Sequence, residues 1–425
     1  MTTSTSKLLE IVVITLLSTG NLAIAEEPRY EVDGHLKARA LADTFPGDSI
    51  FNDLIGSTSL DVETDVRLNL SVDQGSWSFD ATWQLIAGHG DRVDLSRLIP
   101  ANGLSIIDSS ISDDRRLMNL TDMIRDEGSA RILHRLDRLA VGYASEKLIV
   151  RVGRQAMSWG NGLIFSPMDI VNPFDPTVVD TEYKAGDDMI YGQYLTANGN
   201  DIQAAHVFRR DPLSGNPDTE SATSAIKYHG ILGSGEIDLL IAESYGESIV
   251  GFGGNKSIGG ALWRGDVVVT DTGEGNTVQL VTNLSYSWVR AGRNMSGVIE
   301  YYYNGFGQSS DRYDLPSLAQ NPDLIRRLAR GDVFTIGRSY LAGGVLVEMS
   351  PLWSLTPNLF VNLDDTSALL QLTTRRSLSD NSDFLAALNV PLGSSGTEFG
   401  GVSTGQGNTY FSTSLSLFAQ FAWYF

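Results

Sequence analysis

From Leu60 to Val72 the chain alternates without a break. Leu60, Val62, Thr64, Val66, Leu68, Leu70 and Val72 fall on one side, and Asp61, Glu63, Asp65, Arg67, Asn69 and Ser71 on the other. A helix of about 3.6 residues per turn would scatter both sets around its axis, whereas a strand sends successive side chains to opposite faces. The pattern returns in Trp77, Phe79, Ala81, Trp83 and Leu85, opposite Ser78, Asp80, Thr82 and Gln84. It returns again in Val278, Leu280, Thr282, Leu284, Tyr286 and Trp288, opposite Gln279, Asn283, Ser285 and Ser287. Two architectures use such strands. A soluble sandwich turns the apolar face to a partner sheet, and a membrane barrel turns it to lipid and lines its lumen with the polar face.

Three observations favour the barrel. Connections alternate between short ones (Asp73-Gln74-Gly75, Ser145-Glu146-Lys147, 197–201, 291–294) and long ones (88–133, 156–187, 307–332), as short periplasmic turns and long external loops do. Aromatic residues gather towards strand ends, at Trp77 and Trp83, Tyr286 and Trp288, and Tyr301 to Tyr303, where interfacial girdles would sit. The last strand places Phe411, Thr413, Leu415, Leu417, Ala419, Phe421, Trp423 and Phe425 on one face. That ending resembles the assembly signal of bacterial outer-membrane proteins, which implies recognition of Phe421, Trp423 and Phe425 by the barrel-assembly machinery.

The N-terminus fits this route. Lys7, the apolar stretch Leu8–Leu17 and the small-residue site Ala23-Ile24-Ala25 read as a secretory signal peptide (residues 1–25), leaving residues 26–425 as the barrel. Beyond it no run approaches the ~18–20 apolar residues of a membrane helix, so a membrane would be crossed by strands. The charge balance, 31 Lys+Arg against 51 Asp+Glu for a net −20, argues against nucleic acid as a partner, because phosphate binding needs a basic face. The absence of cysteine excludes disulfides, thiolate metal sites and a cysteine nucleophile.

Segmentation from Tyr30–Leu41 to Tyr410–Phe425 gives about 18 strands, or about 16 if the short Ile249–Gly253 is dropped with a neighbour. The fold class is thus all-β: a transmembrane antiparallel β-barrel with long external loops, short periplasmic turns and both termini in the periplasm. Two loop segments, Asp113–Ile124 and Leu315–Arg330, carry Leu and Arg at helical spacing. A barrel this wide encloses an aqueous channel rather than a filled core.

The strand Leu148–Gln155 opens into the third external loop, 156–187, rich in Gly, Pro, Asn and aromatics. Gly153 interrupts the alternation and predicts a bulge that re-aims Arg154. The run Arg151-Val-Gly-Arg154-Gln, Trp159-Gly160, Asn172-Pro173, Asp175, then Gly186-Asp187-Asp188, resembles a loop pattern of porin-like outer-membrane families of the alginate-export type, over some forty residues. The resemblance implies a loop folded inward to narrow a pore, with Arg154 and Trp159 at the constriction. The residues point the same way: Lys37, Arg39, Arg67, Arg138 and Arg151 fall mostly at lumen parity and would face the loop carboxylates Asp169 and Asp175. Such a transverse field discriminates by charge. Alternatively, these cations pair across strands with Asp61, Glu63 and Asp65.

Local motifs for chemistry are lacking. Five histidines show no metal-ligand spacing, and there is no nucleophile elbow or phosphate loop. His89 and His206 are the conceivable bases of a barrel hydrolase. Asp43, Asp48 and Asp53 could hold calcium or bridge lipopolysaccharide, although solvated surface charge is the default. The expectation is a diffusive, non-enzymatic channel for small polar solutes or ions, without cofactor or metal. Its partners would be outer-membrane lipid, lipopolysaccharide, the assembly machinery and further copies of itself. A polysaccharide or solute export conduit and a barrel hydrolase are the alternatives.

Overall fold

The computed structural model describes residues 27–98 and 112–425, so the expected signal peptide lies outside the described residues. One continuous antiparallel sheet closes on itself. Its first nine ring strands are β1 (Arg29–Thr44), β2 (Thr58–Gln74), β3 (Trp77–Gly90), β4 (Ala130–Ala144), β5 (Leu148–Gln155), β6 (Asp187–Leu195), β7 (Asp201–Val207), β8 (Thr223–Leu232) and β9 (Gly235–Ser244). The second nine are β10 (Glu247–Ile258), β11 (Ala261–Asp271), β12 (Asn276–Arg290), β13 (Arg293–Asn304), β14 (Ser339–Ser350), β15 (Trp353–Asn362), β16 (Ala368–Ser379), β17 (Ser382–Leu392) and β18 (Leu415–Tyr424). Each pairs with its sequence neighbours, and β18 pairs with β1 from His35↔Tyr424 to Thr44↔Leu415. The protein is a closed 18-strand barrel. Segments placed near 249–253 and 258–269 by sequence are full strands, β10 and β11, joined by Gly259-Gly260.

Alternation decides the faces. Val32, Leu36, Leu60, Val62 and Leu68 are exposed on the outer wall, while His35, Lys37, Asp65 and Arg67 on the same two strands are buried inside. No helix among the described residues is long and apolar enough to cross a membrane. One rim carries tight turns. Ala291-Gly292 has two positive φ angles, 51° and 72°, the left-handed geometry that matches strand twist in a two-residue hairpin. Trp77 packs edge-on against Tyr143, and Tyr286 stacks on Trp288 at this rim. Tyr302, grouped by sequence with a girdle, instead faces inward and is buried.

The other rim carries the long loops. α1 (Ile50–Ile55), α2 (Asp91–Leu98), α3 (Leu315–Leu318) and α4 (Pro322–Arg330) all lie there. The helix expected within Leu315–Arg330 is present as α3 and α4. The one expected over Asp113–Ile124 is not: residues 121–127 form a strand on β4, from Thr121↔Arg135 to Glu127↔Ala130. They extend the sheet above the end of β5, whose pairing with β4 begins only at Leu139↔Arg154. Residues 115–120 continue across β6, where Met118 N–H donates to Asp188, and Arg116 bridges to Arg209 beyond β7. The second loop thus occupies the gap left in the wall where the third loop turns inward.

The bulge also sits elsewhere than expected. Gly153 pairs in regular register with Ala140 and Met189. Its φ of 126° and a Cβ position 2.1 Å from the Leu139 carbonyl oxygen explain the glycine as a close backbone approach. The register shift lies in β4, where Thr82 faces Arg138 and Trp83 faces Leu136. Asp137 is the extra residue, and the shift brings Arg135, Asp137 and Arg138 together.

Candidate functional site: the loop inside the barrel

The third loop, residues 156–186, leaves β5 and crosses the lumen, touching wall strands on all sides before it enters β6. Trp159 Nε1 donates to Gln203 on β7 at 2.6 Å. Asn161 donates from its backbone to Asp266 on β11 and from its side chain to Asp238 and Asp266. The backbone N–H groups of Leu163, Ile164 and Phe165 converge on the Glu300 carboxylate of β13 at 2.7, 3.0 and 2.6 Å, and Asn283 adds a fourth donor. Phe165 stacks on Tyr302, ring centroids 4.6 Å apart. Met168 and Trp159 pack on Leu240, Ile249 and Val268, and the Thr177 carbonyl accepts from Gln371 on β16.

Glu300 and Asp266 are fully buried, and among the described residues no cation lies within ion-pair distance of either. Their charge is met by neutral donors, mostly backbone N–H groups supplied by the loop. A buried carboxylate is tolerated only when such bonds satisfy its oxygens, so loop and wall are complementary here.

The far half of the loop docks on the cationic wall. Lys37 reaches Asp180 at 2.7 Å and Glu182 at 2.8 Å, and Arg39 contacts Glu63, Asp65 and Asp180. Burial opposes the charge on Asp180, yet Lys37 and then Arg39 hold its carboxyl below the usual range. Tyr183 inserts beside His35, with the Arg67 guanidinium 3.9 Å from its ring centre. Arg67, Arg135 and Arg138 gather on Asp137, and Arg138 also donates to the Lys184 carbonyl. Arg151 pairs with Asp80 at 2.5 Å and keeps 39% of its side chain exposed.

The cations expected at lumen parity, Lys37, Arg39, Arg67, Arg138 and Arg151, therefore share one wall, and each has a carboxylate partner. The loop acids opposite them are Asp180 and Glu182, which parity reasoning on the strands could not single out. Asp169 instead pairs with the loop's own Lys184 at 2.6 Å; burial pushes its carboxyl up to about 6, against the pull of that ammonium. Asp175 closes a local turn on Thr177. Trp159 is buried beneath the loop rather than exposed to the lumen.

Arg154 departs furthest from expectation. Neighbouring Arg151 and Gln155 have inward parity, so Arg154 starts outward, and only 1% of it is exposed. Its guanidinium bonds to Asp188, Asp113 and the Met118 carbonyl, clamping the second loop over the gap in the wall. It is a rim clamp and does not face the lumen. Of the histidines weighed as bases, His89 meets Ser129, and His206 meets Ser224 at outward parity.

No family model matches this sequence, and no curated protein sequence matches it. Three crystal structures from Acinetobacter baumannii share its shape. OccAB1 gives a TM-score of 0.51 at 7% identity, covering 93% of this chain and 96% of its own. OccAB3 gives 0.50 at 9%, covering 93% and 99%, and OccAB4 gives 0.50 at 7%, covering 95% and 100%. At such identity the likeness is one of fold alone: a closed antiparallel barrel.

Proposed function

We propose that this chain is an integral outer-membrane channel for passive diffusion of small polar solutes or ions, narrowed by its third loop. The observation that carries the reading is the inward loop itself, anchored on opposite walls of an 18-strand barrel by Glu300 and Asp266 on one side and Lys37 and Arg39 on the other. A loop held at both ends of a diameter narrows a wide lumen to a defined passage, and charged wall groups then set selectivity. The partial exposure of Arg151, Asp80, Arg39 and Glu63 supports their contact with passing solutes.

The pairing of the wall cations favours diffusion over export of an anionic polymer, which would need a strongly basic lumen, although the loop pattern of the alginate-export type keeps that conduit as the second reading. The loop rim would face outward towards lipopolysaccharide, and Phe421, Trp423 and Phe425 would address the chain to the assembly machinery. Single-channel recording of the refolded barrel in planar bilayers tests the proposal. Discrete steps, with a reversal potential across a salt gradient that moves in Arg151→Ala, are expected; a correctly folded but silent barrel would overturn it.

A further inference from the structure

The end of the chain carries different residues on its two faces. Phe421, Trp423 and Phe425 are exposed on the outer wall. Tyr424, between the last two, points inward. Its ring packs edge-on against His35, its register partner on β1, with ring centroids 6.1 Å apart. The backbone ladder that closes β18 onto β1 runs from His35↔Tyr424 to Thr44↔Leu415, with a further pair of bonds between Gly34 and Phe425. That ladder is complete without the phenol, and the hydroxyl instead donates to Glu182 of the third loop at 2.9 Å.

Glu182 is held from both sides of the closing seam, by Tyr424 on β18 and by Lys37 on β1 at 2.8 Å. The residues around it lie along the same seam. Asp180 pairs with Lys37 at 2.7 Å and with Arg39 at 3.1 Å, and Arg39 donates to Gln420 of β18. Tyr183 covers His35, centroids 5.3 Å apart, and the Arg67 guanidinium of β2. His35 is thus enclosed between a tyrosine of the loop and a tyrosine of the last strand. Lys37 is buried, and both of its ion-pair partners belong to the loop. A buried ammonium deprived of its counter-charges is strongly disfavoured. No loop of the chain links β18 to β1, and across this seam the inner loop supplies side-chain bonds that a turn between neighbouring strands makes unnecessary elsewhere.

We propose that Tyr424 is a positioning residue for the constriction: through Glu182 it fixes the far half of the third loop across the closing seam, and so couples the width of the passage to closure of the barrel. The inference rests on the channel reading, since it concerns what holds the narrowing loop in place. Coupling of this kind is reciprocal. Release of residues 180–183 loosens the pairing of β18 with β1, and fraying of that pairing frees the loop by the same factor.

The test uses the full barrel refolded in detergent, and reads the seam by hydrogen exchange at the β1 and β18 amides. The loop is read by the mobility of a spin label on Val178→Cys, an exposed loop position in a chain that has no cysteine of its own. Tyr424→Phe removes one oxygen and keeps the ring; seam protection should fall about fivefold and the label should loosen, with protection at Leu163, Ile164 and Phe165 unchanged. Glu182→Ala, remote from the assembly strand, should give both changes in larger measure, because Lys37 also loses a partner. Adding Tyr424→Phe to it should change nothing further. Seam protection at the wild-type level in both variants, or additive effects in the double variant, overturns the inference. If Tyr424→Phe fails to fold, Glu182→Ala alone decides. Bilayer recording of the same preparations separates the two claims: linked seam and loop in a barrel that passes no current removes the channel, and a conducting barrel without the link removes only the coupling.

Discussion

Glu300 is the acceptor on which the near half of the inner loop rests, and replacing it with glutamine tests that anchoring directly. The wild-type carboxylate takes Leu163, Ile164 and Phe165 N–H and the Asn283 amide. Glutamine keeps the volume but offers one acceptor oxygen, and its own NH2 then confronts donors. Two of the four donors lose their partner, at about 1–3 kcal/mol each. The docked loop is therefore weakened by roughly 2–6 kcal/mol, and its release is favoured some 30-fold or more. Hydrogen exchange reads this at the amides concerned: protection over residues 160–166 should fall by that factor, with β9 to β13 unchanged. Recordings should show added current noise as the loop leaves its seat. Unaltered protection at Leu163, Ile164 and Phe165 would refute the claim that this carboxylate holds the loop.

Asp180→Asn removes a counter-charge from Lys37 and Arg39, so the reversal potential across a salt gradient should move towards anion preference; an unmoved potential would mean these cations do not face the passage. Gly153→Ala forces a Cβ against the Leu139 carbonyl at positive φ and should cost about 2–4 kcal/mol, seen as a lower unfolding temperature of the refolded barrel. Glu398 accepts from Tyr340, Asn362 and the Ile336 N–H, with no cation in ion-pair distance among the described residues, and burial pushes its carboxyl up to about 7 from 4.5, against those donors. Below pH 4.5 both folded and unfolded states hold the proton and the group is neutral in cost. As pH rises from 4.5 to 7 the folded state keeps a proton that the unfolded chain has released, so stability falls and then levels off. Glu398→Gln should abolish that decline in melts recorded from pH 4 to 8.

The strands were legible because period two leaves no other solution for Leu60–Val72 and its repeats, and faces follow from parity once one strand is placed. The loop was legible from composition, since Gly, Pro and Asn cannot continue a wall. Its partners were not. Parity says that Glu300 and Asp266 point inward, but not that a segment more than a hundred residues earlier in the chain brings backbone donors to them. Glu300 is visible as an acid at inward parity just before the tyrosine run 301–303, and Asp266 as an acid within an alternating strand, but nothing local marks either as an anchor. Arg154 went astray for a local reason: the shift was assigned to the glycine, whereas Asp137 on the next strand carries it, and Arg154 keeps the outward parity its number gives. The helix expected at Asp113–Ile124 failed because an open edge beside β4 offers backbone hydrogen bonds, and these outweigh a weak helical preference.

That borrowed stretch of wall fixes what the barrel can do with its inner loop. With residues 115–127 seated above β5 and β6 and clamped through Arg154, the berth from which residues 156–186 departed is taken. The loop has no place in the sheet to return to, so any widening of the passage must happen by rearrangement within the lumen.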